Sequence, residues 1–334
     1  MPIPAFIREQ PAALDRCIAA ARAFARTWSP AAADGIALVG SGSSFNALRV
    51  AQPAFVAARR GPVVVHEPQD FAVELPQASA RALVIVLSQS GASTTSIAAA
   101  QAAVAAGLPT LAITASSEAP LGRTGAEILV MPVGDEPVGP KTKGFLGSLV
   151  LLQLLAEALG APASTPPDGA MLQALVEPAR EAAEALVPTL ADVDQIVVAG
   201  RRSNHGLALE ASLKIAEMAG IPTAAFPTEE LLHGRLHGLT PRSVAFVIAE
   251  GKDEQEEARR AAAAMAARGC RLIVAGSGHW PAASALPAPW QALGMVLPFQ
   301  WLAVRLAEAR GLRPEAMRYG SLSPELAIKT DQRP

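Results

Sequence analysis

A chain of 334 residues, 51% hydrophobic and 17% charged, has material for about two globular domains and is too apolar for a disordered polyelectrolyte. Its 28 Lys and Arg nearly balance 30 Asp and Glu, and a net charge of −2 supplies no global field to recruit nucleic acid or an acidic membrane. Cys17 and Cys270 have no metal-type spacing, the Met-Pro-Ile-Pro start is no signal peptide, and no apolar run nears the ~20 residues of a membrane span, so a cytoplasmic protein is expected.

Residues 5–28 predict an Ala-rich helix with Phe6, Ile7, Leu14, Ile18 and Phe24 as its apolar positions. Residues 36–39 form a short apolar strand that runs into Gly40-Ser-Gly-Ser-Ser-Phe45, and 46–58 can be helical with Pro53 as a kink point. Further strands are predicted at 62–66, 82–87, 108–114 and 128–133; the third ends in Ser88-Gln-Ser-Gly-Ala-Ser93 before another Ala-rich helix. Short, wholly apolar strands alternating with helices imply a parallel sheet covered on both faces.

The second half repeats this order, with strands at 195–200, 244–248 and 272–275. Gly40 and Ser88 are 48 residues apart and Gly200 and Ala249 are 49; Ser88 to Thr114 and Ala249 to Ala275 are both 26. Matching periods argue for a duplicated unit, with the join in the proline-rich stretch 162–168. The fold class expected is α/β: two tandem doubly wound, flavodoxin-like domains, each a five-stranded parallel sheet flanked by helices. The organisation expected is an N-terminal helical segment (1–30), a first domain (31–165), a second domain (170–312) and a C-terminal tail (313–334).

In an open parallel sheet, ligands bind at the carboxyl ends of the strands. Two loops of the first half place hydroxyls and glycines there, Gly40-Ser41-Gly42-Ser43-Ser44 and Ser88-Gln89-Ser90-Gly91-Ala92-Ser93, each opening a helix. Free helix N–H groups and Ser hydroxyls together suit a phosphate. The same serines also suit helix N-caps, and the same glycines suit turns. Gly40-x-Gly42-x-x-Phe45 has Phe where a dinucleotide fingerprint needs a small residue, although Glu67 lies 25 residues beyond Gly42; no GxxxxGK[ST] occurs. His233 and His237 are four apart, but Gly234 and Gly238 argue against a helix and no third ligand is evident, so no metal is expected. His66, His205 and His279 read as surface or satisfied loop histidines, and Lys143 as a loop residue near the phosphate pocket. Arg201, Arg202 and Arg235 either line an anion pocket or are solvated.

Gly42-Ser-Ser-Phe-Asn46, Ser88-Gln-Ser-Gly91 and Lys141-Thr-Lys-Gly-Phe145 together resemble the SIS (sugar isomerase) domain family. Ala208-Leu-Glu-Ala-Ser-Leu-Lys-Ile-Ala-Glu217 and Thr228-Glu-Glu-Leu-Leu-His-Gly234 resemble its double-SIS branch: the isomerase half of glucosamine-6-phosphate synthase, amino-sugar-phosphate deaminases and fructosamine deglycases. The resemblance covers about residues 30–330. It implies that Ser43, Ser44, Ser88, Gln89, Ser90 and Ser93 hold a sugar phosphate, with Gly42 and Thr142 in the same pocket; Ser93 stands where the family usually has Thr. It also implies Glu217 as the base moving hydrogen between C1 and C2, His233 as the ring-opening acid/base, and Lys214 beside the reacting oxygens. Leu326-Ala-Ile-Lys329-Thr330 resembles the family's Leu-Ala-Lys tail with one extra residue, Ile328, before the lysine, which makes Lys329 the counterpart of a lysine that closes over the site.

Read from the residues alone, Glu210 and Lys214 are an i,i+4 pair that Glu217 continues, as on any solvated helix face. With no cysteine before Cys17, the expectation is a free-standing enzyme without glutaminase activity and without cofactor. It would isomerise or deaminate a sugar phosphate of the glucosamine 6-phosphate or fructose 6-phosphate type through an enediol or enolamine. The alternatives are a fructosamine-phosphate deglycase, a non-catalytic phosphosugar sensor and an NAD-dependent oxidoreductase. The resemblance further implies a homodimer with the His233 loop completing the neighbour's site, and a sugar phosphate as the small-molecule partner.

Overall fold

Short apolar segments separated by amphipathic ones have one low-energy arrangement when each segment is buried on both faces, a parallel sheet between helices, and the chain builds two. The structure is a computed structural model that describes residues 2–30, 33–58, 61–75, 81–190, 192–276, 285–319 and 322–330; His279 lies outside them. No described helix is long and apolar enough to cross a membrane. The chain divides into two compact units. One comprises Ala12–Glu136, Lys143–Ser164 and Ser321–Pro334, and the other Met1–Pro11, Pro137–Thr142 and Thr165–Gly320.

The single helix predicted at 5–28 is two, α1 (Ile3–Arg8) and α2 (Gln10–Ala25). Pro11 has no N–H and its ring would collide with the carbonyl four residues back, so the helix restarts with Pro11 in its first turn, where no donor is needed. The first sheet follows as β1 (Gly35–Gly40), α3 (Ser43–Ala57), β2 (Val63–His66), α4 (Pro68–Glu74), β3 (Ala82–Leu87), α5 (Thr94–Ala105), β4 (Thr110–Thr114), β5 (Glu127–Val130) and α6 (Lys143–Ala158). Its strands are parallel in the order β2-β1-β3-β4-β5, and β1 and β3 are buried at every position. One face, with Ala37, Val39, Val84, Val86 and Ala112, packs on Phe71 of α4 and the alanines of α5. His66, at the end of β2, is satisfied locally: Nδ1 lies 3.2 Å from Glu74 Oε2 and the ring meets Phe71 edge-on.

The other unit contains α7 (Gly169–Leu190), β6 (Gln195–Gly200), α8 (Ser203–Ala219), β7 (Thr223–Pro227), α9 (Thr228–His233), β8 (Ser243–Ile248), α10 (Lys252–Ala266), β9 (Arg271–Ala275) and α11 (Gln291–Ala309). Its sheet is parallel in the order β7-β6-β8-β9, the same winding as β2-β1-β3-β4, so the repeated spacings correspond to repeated topology. The expected fifth strand is not formed among the described residues. Between Ala275 and α11 the sequence has no β-branched apolar run, and Pro281, Pro287 and Pro289 lack ladder donors.

The duplication extends to backbone angles. Gly42, before α3, has φ 55° and ψ −130°, and Arg202, before α8, has φ 50° and ψ −121°. Glycine adopts this region freely, whereas for arginine it stores about 1–3 kcal/mol. Arg202→Gly should therefore stabilise the protein by about 1 kcal/mol, after glycine's extra unfolded-state entropy, and raise Tm by roughly 2–4 °C. A fall in Tm by calorimetry would show that the Arg202 side chain contributes more than its backbone costs.

Cys17 of α2 is fully buried, and burial pushes its thiol up to about 12, Arg16 partly opposing. Roughly one molecule in ten thousand then carries the thiolate at pH 8. Ellman's reagent at pH 8 should react equally with native wild type and native Cys17→Ser, with the two differing by one thiol only in denaturant. A thiol missing from the native variant would contradict this.

Candidate functional site

β1 and β3 are neighbours, with Gly40 opposite Leu87, so both serine-rich loops leave adjacent strand ends at the switch point of the first sheet. Gly42 turns the first loop and puts Ser43 and Ser44 in the first turn of α3. In the second loop Ser88 is buried, Gln89 half-buried and Ser90 exposed. Ser90 Oγ accepts from the Ala92 N–H at 3.3 Å, and Ser93 Oγ caps α5 by accepting from the Ser96 N–H at 3.4 Å. Ser93 thus has the N-cap role that the sequence allowed for it. The loop packs tightly: a Cβ on Gly91, whose φ is 62°, would stand 2.5 Å from Ala119 Cβ and 2.6 Å from Thr114 Oγ1, and one on Gly144 of α6 would stand 2.8 Å from Gln89 Cδ.

The C-terminal tail is strapped to this loop. Lys329 pairs with Ser93 in an antiparallel bridge, the Thr94 N–H donates to Ile328 O at 3.2 Å, the Thr330 N–H donates to Ala92 O at 2.9 Å, and Thr94 Oγ1 donates to Ala327 O at 3.1 Å. Ala327 takes φ 51° to make the approach. Lys329 thus lies directly opposite a serine of the loop.

At the start of α6 the structure corrects one expectation. Lys143 is a buried helix residue, 2% exposed, whose Nζ donates to Asp135 O at 3.0 Å. The carboxylate of Glu136, which the sequence did not single out, accepts from the Lys143 and Gly144 N–H groups at 3.1 and 3.0 Å. A carboxylate seated on helix donors is stabilised by the positive helix end and occupies the place an anion would take. Thr142 is fully buried just before this helix.

The second switch point differs chemically. Where the first sheet has Ser88-Gln-Ser, the end of β8 has Ala249-Glu250-Gly251, and Glu250 hydrogen-bonds Asn204 of α8. Arg201, expected to be free or pocket-lining, is ion-paired to Glu257 at 2.7 Å and Glu229 at 3.5 Å, and Arg235 stacks over Phe226 at 4.8 Å.

The chemistry-bearing residues of this unit lie along α8 at i, i+4 and i+7. Lys214 Nζ donates to Glu217 Oε2 and stands 3.6 Å from Glu210 Oε1; the side chains are 1% (Lys214), 0% (Glu210) and 24% (Glu217) exposed. The solvated-face reading is therefore wrong, because α8 packs on β6, β7 and the apolar α11 and carries this row inward. Only Glu217 retains access to solvent. His233, the last residue of α9, is 76% exposed and holds Glu229 Oε1 at 2.8 Å. Gly234 ends the helix there, and His237 follows in an exposed 3₁₀ turn.

Fold and site together define a class: tandem doubly wound α/β proteins whose first sheet ends in loops rich in hydroxyls at helix starts. The chain belongs to the SIS domain family, which matches residues 31–158 and 189–276. It is 27% identical over 308 residues to a glutamine–fructose-6-phosphate aminotransferase [isomerizing] of Leifsonia xyli, covering 84% of this chain and 50% of that protein. The chain thus spans about half the length of the curated relatives it matches. Among solved structures it superposes on glucosamine-6-phosphate deaminase of Thermotoga maritima with TM-score 0.80, 21% identity and coverage of 95% and 97% of the two chains. It also superposes on tagatose-6-phosphate ketose/aldose isomerase of Escherichia coli with TM-score 0.73, 18% identity and coverage of 98% and 96%.

Gly91→Ala should disrupt the serine loop without emptying a core, costing about 2 kcal/mol or more from φ strain and the contacts below 3 Å. Gly42→Ala, whose Cβ meets nothing within 4 Å, should cost only the conformational part, about 1–2 kcal/mol. Urea unfolding of both variants checks the order, which equal losses would contradict.

Proposed function

We propose that this chain is a phosphosugar-processing enzyme that moves hydrogen between C1 and C2 of a sugar phosphate of the glucosamine 6-phosphate or fructose 6-phosphate type, releasing ammonia when C2 carries an amine. The observation that carries this is the row on α8, where a buried lysine holds a carboxylate that alone keeps an open side. Family membership and relatives named for isomerising fructose 6-phosphate support the substrate class.

In this reading Ser43, Ser44, Ser88, Gln89, Ser90 and Ser93 bind the phosphate, with Gly42 and Thr142 shaping the pocket. Neutral donors and the α3 and α5 helix ends bind a dianion without trapping it. His233 transfers the proton that opens the ring. Glu217 then takes the C2 proton of the open-chain aldehyde. The C2–H electron pair becomes the C1–C2 double bond while the C1–O π pair moves to O1, which takes a proton from water, giving an enolamine from an amino sugar or an enediol from a hydroxy sugar. Returning that proton to C1, as the amino or hydroxyl group on C2 gives up its own proton to water, yields the C2 imine, which water hydrolyses to ketose and ammonia, or the ketose directly. Lys214 orients Glu217 by its hydrogen bond to Oε2. Lys329, carried by the strapped tail, supplies a cation beside the phosphate loop. The exposure of His233 suits a homodimer in which this loop completes the neighbour's site.

The test is coupled detection of ammonia and fructose 6-phosphate from glucosamine 6-phosphate. Wild type should turn over, and Glu217→Gln, nearly isosteric, should lose about 10²–10⁴-fold in kcat while still gaining thermal stability from the sugar phosphate. A Glu217→Gln enzyme with wild-type kcat would remove Glu217 as the base, and wild type with neither turnover nor stabilisation would remove the substrate class.

A further inference from the structure

A base held by an ammonium is well oriented but weakened, because an opposite charge within about 4–6 Å favours the deprotonated form. The α8 row contains a second carboxylate that resolves this conflict. We propose that Glu210 is a positioning residue that neutralises the buried Lys214, so that Lys214 aims Glu217 by hydrogen bonding while Glu217 keeps the excess negative charge of the cluster. This rests on Glu217 being the base.

Glu210 is fully buried, which keeps it from substrate, and its Oε1 is 3.6 Å from Lys214 Nζ. Lys214 is itself 1% exposed, so water does not supply its counter-charge, and it lies between carboxylates one turn away on either side. One ammonium between two carboxylates leaves a cluster of net charge −1. Glu217 is the member of the three that keeps an open side. The elements packed against α8 add little charge: β6 and β7 contain no titratable residue, and α11 has only Arg305 and Glu308, which pair with one another, Arg305 also reaching Glu184. Arg318 stands against Gly220 at the C-terminal end of α8, three residues past Glu217. A residue serving only to pin the helix would need no charge at this position, and an apolar side chain would pin it at lower desolvation cost.

The experiment follows the Glu217 carboxyl directly in protein labelled with carbon-13 at glutamate Cδ, its signal assigned by its loss in Glu217→Gln. In Glu210→Gln the Glu217 signal should titrate at lower pH than in wild type, by on the order of one pH unit. The acidic limb of kcat/KM for glucosamine 6-phosphate should move the same way, with kcat down about three- to tenfold and KM within about twofold. If Glu210→Gln does not fold, Glu210→Asp keeps the charge one methylene further off and should shift the signal in the same direction by less. A Glu217 signal that titrates at an unchanged pH, in whichever variant folds, overturns the proposal. Glu217→Gln with wild-type turnover overturns the reading beneath it, whereas an inactive Glu217→Gln with an unmoved signal overturns the role of Glu210 alone.

Discussion

The constraint on which the rest depends is that the central strands are buried on both faces. Every position of β1 and β3 is inside, so no residue along them can meet a ligand, and polar chemistry is displaced to the loops at their carboxyl ends. After β1, as after β6, the chain must leave a strand and enter a helix across only two residues. That turn requires left-handed backbone, which is why Gly42 and Arg202 share nearly the same angles despite opposite side chains. A helix start also leaves its first N–H groups unclaimed by its own helix; at α5 the tail and the cap take two of them, the Thr94 N–H going to Ile328 O and the Ser96 N–H to Ser93 Oγ.

Within this shared frame the two units have diverged. The first fills its switch point with Ser and Gly, and the second fills it with Glu250 and the ion-paired Arg201 and carries the Glu210, Lys214 and Glu217 row on α8. Burying charge on α8 has a consequence the first loops avoid. An ammonium removed from water is tolerated only with counter-charge beside it, so Lys214 comes with Glu210 and Glu217 as a set. The start of α6 follows the same rule, with Glu136 answering helix donors that would otherwise be buried unpaired.

The tail shows how a few backbone bonds can couple a distant segment to a loop. Two backbone hydrogen bonds, which make the Ser93–Lys329 bridge, and one from Thr94 Oγ1 fix residues 327–330 along residues 92–94, and the strain at Ala327 is sustained by those contacts. Backbone pairing of this kind is insensitive to which side chain occupies each position.

Much of this was legible in the sequence. Uninterrupted apolar runs identify the buried strands, the 48- and 49-residue spacings reveal the duplication, and the serine loops announce themselves by composition. β7 was not legible: its Thr-Ala-Ala-Phe-Pro has a single large apolar residue, and it is a strand because β6 offers it an edge. The helix break at Glu9 was implicit in Pro11, whereas the buried state of Lys143 and the capping by Glu136 were not, since nothing local distinguishes a buried lysine from a solvated one. The same holds for Glu210, Lys214 and Glu217. Their i, i+4, i+7 spacing is a property of the sequence and puts them on one side of α8. Which way that side faces was decided only by α11 and the second sheet closing over it, because burial depends on what packs against a helix and not on the helix alone.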